Sequence, residues 1–162
     1  MNFKVKMNKG WFYRNELWFS EPFKKLPRSA MDLLQCFATE IRKKQSKKKN
    51  IKWEITNNGE LSCTESQFRK LTGYSKSTYI KERNRLIEYG FLKITYQGGG
   101  GSGDRSMYKL LICDDVPEEK QRWRRYPKEN WKHEVPKREN NLIGKKTQWK
   151  MGQSARKIKS TL

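Results

Sequence analysis

Residues 75–91 bring Lys76, Ser77, Thr78, Lys81, Asn84 and Arg85 together in one short stretch. Lysine, arginine and asparagine side chains match the guanine or adenine edges of a duplex, whereas Ser77 and Thr78 suit phosphate oxygens. A second cationic set, Arg42, Lys43, Lys44, Lys47, Lys48 and Lys49, is denser than a helix C-terminus needs to balance its dipole, which makes it a phosphate-contact candidate. Arg105 borders a glycine-rich loop, and Arg122, Arg124 and Arg125 surround Trp123. Lys145, Lys146 and Lys150 stand beside Trp149. All of this is binding chemistry rather than bond-breaking chemistry.

Catalytic constellations are thin by comparison. His133 is the single histidine, so no His pair can hold a metal, and Cys36, Cys63 and Cys113 lack C-x-x-C spacing. Asp114 and Asp115 are adjacent at a strand end, where neighbouring side chains point apart. The glycines between 98 and 103 are followed by Asp104, Arg105, Ser106 and a strand, not by Lys-Ser/Thr opening a helix, so a nucleotide-binding phosphate loop is not expected. The expectation is a non-enzymatic protein with no cofactor and no metal.

The elements that must carry these side chains can be read from spacing. Thr64 and Gln67 have the order of a capping box, Phe68 and Leu71 give one apolar face, and Gly73 suits a helix stop. Ser75 can cap a second helix on which Tyr79, Leu86 and Gly90 keep helical spacing, with Tyr79 and Leu86 facing the core. Two short helices across a glycine turn make a helix-turn-helix. Residues 92–96 and 107–112 then alternate as strands around the glycine-rich loop. Upstream, Ala30, Leu34, Phe37 and Ile41 form one stripe of a helix expected over 29–44, opened by Ser29 with Asp32. Residues 51–55 alternate before an Asn57-Asn58-Gly59 turn, giving a short hairpin or a strand able to pair with the later hairpin.

The run LSCTESQFRKLTGYSKSTYIKERNRLIEYGFLKITY resembles the winged helix-turn-helix of DNA-binding proteins, especially those of phages and plasmids. The resemblance covers roughly residues 26–112. It implies an α+β fold: a winged helix-turn-helix of three helices plus a β-hairpin wing, here with extended basic N- and C-terminal arms. It also implies a role in replication initiation or transcriptional control within a mobile element. Such helices usually carry small or aliphatic residues near the positions of Glu82 and Arg83. Charges there imply either a rotated helix or a surface pair.

Three segments are expected: an aromatic N-terminal arm (1–26), the winged-helix domain (27–116) and a basic extension (117–162). The arm holds Trp11, Phe12, Tyr13, Trp18, Phe19 and Phe23, interrupted by Pro22, and either packs on the domain or serves self-association or a protein partner. The extension sets fourteen Lys and Arg against five Glu, with Trp123, Trp131 and Trp149 among prolines. It wraps its own domain or runs along a nucleic-acid backbone, and interleaved rings also suit single strands or RNA.

Bulk properties agree with a polyanionic partner. The net charge is +20 with a pI near 10.0, and only 34% of residues are hydrophobic, offset by 12% aromatics. Double-stranded DNA is the first partner expected, with RNA or a ribonucleoprotein the alternative. No apolar run approaches the ~20 residues of a membrane span, and residues 1–6 lack the apolar core of a signal peptide. Scattered, odd-numbered cysteines suit a reducing compartment, so the expected location is cytoplasmic and nucleoid-associated.

Overall fold

In the computed structural model, residues 13–45, 47, 53–99, 101 and 103–137 are described. Among them the chain is mixed α+β, with five α-helices and two small antiparallel hairpins. Two single-turn helices, α1 (Asn15–Trp18) and α2 (Glu21–Lys24), precede α3 (Arg28–Thr39). A hairpin of β1 (Lys43–Gln45) and β2 (Trp53–Ile55) leads to α4 (Glu65–Thr72), α5 (Lys76–Glu88), β3 (Leu92–Tyr96) and β4 (Met107–Leu110). Short 3-10 turns at Glu118–Lys120, Arg122–Arg125 and Lys132–Glu134 follow.

The turn chemistry forms as its residue types require. Thr64 Oγ1 accepts from Gln67 N, and the Gln67 side chain accepts from Thr64 N at 2.8 Å, closing both halves of the capping box. Gly73 ends α4 at φ 80°, where a side chain would be strained. Ser75 caps α5 by accepting from Thr78 N. Tyr79 and Leu86 lie inward, buried with Ile87, and Tyr79 Oη donates to the Cys63 carbonyl at 2.7 Å. Phe37, Phe68 and Phe91 are wholly enclosed, each contributing about 2–3 kcal/mol by leaving water.

Several elements depart from the bounds or caps expected of them, and the hairpin alternative for 51–55 is the one that forms. The helix expected over 29–44 ends at Thr39, and Lys43–Gln45 is a strand. Asn57 causes the break: its Oδ1 accepts from Arg42 N at 2.7 Å and its Nδ2 donates to the Glu40 carbonyl at 2.8 Å, so the chain turns into a hairpin. Ser29 and Asp32 do not cap α3, whose N-cap is Pro27. Asp32 instead pairs with Arg28 at 2.9 Å, one turn earlier on the same helix. Residues 53–55 pair back onto 43–45, and it is Leu61 that bridges Tyr108 on β4. The strand expected over 107–112 stops at Leu110: Leu111 N still donates to the Phe91 carbonyl at 2.9 Å, but Phe91 N is taken by the Leu86 carbonyl at 2.9 Å, so the ladder bond is not returned.

A second asparagine secures the base of the β3–β4 hairpin. Asn58 Oδ1 accepts from Leu110 N at 2.8 Å while its Nδ2 donates to the Leu110 carbonyl at 3.0 Å, imitating a strand neighbour. Both flanking segments share the central core. Leu17 and Phe23 from the N-terminal side and Trp123 from the C-terminal side join one hydrophobic cluster with α3, α5 and the hairpin. Phe23 meets Phe91 edge-on with centroids 6.2 Å apart. Cys36, Cys63 and Cys113 are buried and free, and the hydrogen bond to Cys36, together with burial, pushes the Cys63 thiol up. No helix among the described residues is long and apolar enough to cross a membrane.

Candidate nucleic-acid interface

The outer face of α5 is built by exclusion. Tyr79, Glu82, Leu86 and Ile87 take the inward positions; Ser77, Lys81 and Asn84 fall on the opposite side, Ser77 and Lys81 exposed and Asn84 half-buried, while Lys76 is exposed in the first turn and Arg83, one turn from both Tyr79 and Ile87, is half-buried beside the inner face. Lys76 Nζ lies 3.3 Å from Glu65 Oε2 at the start of α4, an exposed pair of small energetic weight. Ser77 and Thr78 hydroxyls lie 2.9 Å and 3.0 Å from Ser75 Oγ, so both belong to the capping cluster as well as to the outer surface.

Neither arrangement expected for Glu82 and Arg83 occurs. The helix is not rotated, since Tyr79 and Leu86 remain inside, and Glu82 does not pair with Arg83. Glu82 is 3% exposed, accepting from Ser29 Oγ at 3.1 Å and Arg85 Nη1 at 2.7 Å. A buried carboxylate needs such partners, and Arg85 is thereby held toward the body rather than presented outward. Arg83 turns along the helix to Asn84, with Nε and Nη2 at 3.2 Å and 3.0 Å from Asn84 Oδ1.

Of the expected basic patch around Trp123, Arg122 is drawn into the protein, while Arg124 and Arg125 stay exposed and are paired with carboxylates. Arg122 Nη1 binds Glu134 at 2.6 Å and stacks over Trp131. The arginine holds the Glu134 carboxyl below the usual carboxylate range. Arg124 reaches Glu16 at 2.8 Å and lies over Trp123, and Arg125 binds Glu129 at 2.9 Å. Of the two roles expected for the extension, residues 117–137 take the first and strap the domain. Trp131 N donates to the Glu88 carbonyl at 3.1 Å, occupying an acceptor at the C-terminal end of α5. The strap then brings Pro136 and Lys137 alongside α5, and together they line an open cleft of about 440 Å³ with Lys81, Arg83 and Asn84.

The remaining candidates are dispersed. Arg105 is exposed on the loop between β3 and β4, where Asp104 accepts from Gly99 N and Tyr96 Oη, both at 3.0 Å. Lys47 is exposed beyond β1, with Trp53 55% exposed on β2. Lys48, Lys49, Lys145 and Lys146 lie outside the described residues, as do Trp11, Phe12 and Trp149. Asp115 accepts from Asn58 at 2.9 Å and Asp114 pairs with Arg14, so each is tied to a different segment. Trp18 and Phe19 are 49% and 65% exposed on the N-terminal side.

Sequence reading missed the two asparagine clasps and the Arg83–Asn84 bond. Arg83 was legible only as a charge beside Glu82, since its partner depends on which rotamer packing leaves open. No family model, curated protein or solved structure matches the chain.

Proposed function

We propose that residues 27–116 form a winged helix-turn-helix that binds double-stranded DNA without catalysis, with α5 as the recognition helix and the β3–β4 hairpin as the wing. The observation that carries this reading is the division of α5 into a locked inner face and an outer face of Lys76, Ser77, Lys81 and Asn84. An α-helix fits the major groove, and hydrogen-bond donors there meet base edges and phosphates. The Leu61–Tyr108 bridge supports the same arrangement, because it places a strand residue ahead of α4 against the hairpin. Arg105 at the hairpin tip reaches an adjacent phosphate, and the +20 charge draws the duplex in. The resemblance to phage and plasmid proteins is what points to replication initiation or transcriptional control in a mobile element.

Binding of a labelled duplex across a salt series tests this. Affinity falls linearly on logarithmic axes as counterions are released. A protein that ignores duplexes in dilute salt does not have this function.

Exposed Trp53 beside the Lys43, Lys44 and Lys47 segment favours a second reading, in which bases of a single strand or an RNA loop stack on that ring. Competition between duplex DNA and structured RNA at one salt concentration separates the two. Stronger binding of RNA, lost in Trp53→Ala, selects the second.

A further inference from the structure

The geometry of Arg83 and Asn84 carries a base preference for the recognition helix, an inference that rests on the duplex reading above. A guanidinium has only donors, so the Asn84 atom facing it is the amide oxygen. That oxygen receives Nε at 3.2 Å and Nη2 at 3.0 Å, two donors of one guanidinium converging on it. Asn84 keeps its Nδ2 donors, and Arg83 keeps the N–H groups that do not face Asn84. Lys81 and Lys137 line the same cleft, and among the described residues lining it there is no carboxylate.

An asparagine ordinarily recognises adenine by accepting from N6 and donating to N7. With Oδ1 already holding two donors, the accepting half of that contact must compete with the Arg83 guanidinium. In the major groove cytosine offers a donor and thymine one acceptor, O4, beside a methyl group, whereas guanine alone offers two adjacent acceptors, N7 and O6. We infer that Arg83 and Asn84 act as one donor unit that selects guanine, with Arg83 as the positioning residue that disfavours adenine at Asn84.

The test is selection of bound sequences from a randomised duplex pool by the full chain, followed by replacement of the selected guanine with 7-deazaguanine. Wild type enriches guanine at one position, and removing N7 there weakens binding on the order of tenfold. Arg83→Met releases Oδ1, and the preference at that position moves toward adenine. Arg83→Lys keeps a donor on Oδ1 and retains guanine, with circular dichroism confirming that both variants fold. Adenine enriched by wild type overturns the inference. So does an equal loss on every sequence in Arg83→Met, which marks a phosphate contact. Failure of all three proteins to bind any duplex in dilute salt overturns the duplex reading itself and this inference with it.

Discussion

Arg85 Nη1 donates to Glu82 Oε2 at 2.7 Å, joining a guanidinium that is 26% exposed to a carboxylate that is 3% exposed. With Ser29 Oγ on the other carboxylate oxygen, this pair makes a polar clasp between α3 and α5 beside the apolar contacts of Tyr79 and Leu86. The clasp sets which way α5 faces.

Removing one partner should cost more than removing both. Arg85→Ala strands a buried carboxylate and is expected to destabilise the fold by about 3–5 kcal/mol. The double change Glu82→Met with Arg85→Met should recover most of that loss, because no uncompensated charge remains. Urea denaturation of the two variants checks the difference, and equal losses would show that the pair itself, not the stranded charge, carries the stability.

Gly90 and Gly73 both take positive φ, 81° and 80°, yet their surroundings differ. A Cβ on Gly90 would sit 2.7 Å from Arg122 Cβ and 2.8 Å from Trp123 N, while nothing lies within 4 Å of one on Gly73. Gly73→Ala is therefore expected to cost only the left-handed backbone term, about 1–2 kcal/mol. Gly90→Ala should cost clearly more and loosen the strap, visible as a shift in tryptophan emission. Equal melting temperatures for the two variants would count against a tight strap contact.

Lys81→Ala and Asn84→Ala test the outer face of α5. Each is expected to weaken binding to a selected duplex by about 1–3 kcal/mol while changing non-specific binding less. Fluorescence anisotropy on both duplexes at one salt concentration gives the comparison, and a uniform loss would place these side chains on the backbone.

The Arg122–Glu134 pair makes strap stability depend on pH. The Glu134 carboxyl is held below its ordinary value, chiefly by the hydrogen bond from Arg122. A depressed carboxylate stabilises fully above its unfolded pKa of about 4.3 and loses that contribution as pH falls through the lower folded value. Thermal melts should thus drop more steeply below about pH 4 in wild type than in Glu134→Gln. Parallel curves would remove Glu134 from the acid response.

Local features of the chain were legible wherever a single residue type answers a backbone demand. The Thr64–Gln67 box, Gly73, the Ser75 cap and the alternation in 92–96 follow from hydrogen bonding and sterics within a few residues. The apolar stripe of α3 was legible by the same logic, since periodicity is local. The end of α3 was not. Nothing near Thr39 forbids another turn; Asn57 imposes the stop from far along the chain.

Charge type and amount belong to the sequence, and so does the expectation of a polyanionic partner, because the sum of +20 is independent of folding. Which cations face outward was decided only by tertiary packing. Arg85 turns in because Glu82 is buried beneath it, Arg122 turns in because Glu134 waits on a neighbouring segment, Arg124 pairs with Glu16 at the surface, and Lys81 stays out. An arginine reads the same in sequence whether its partner is a phosphate or a glutamate; distance in space chooses between them.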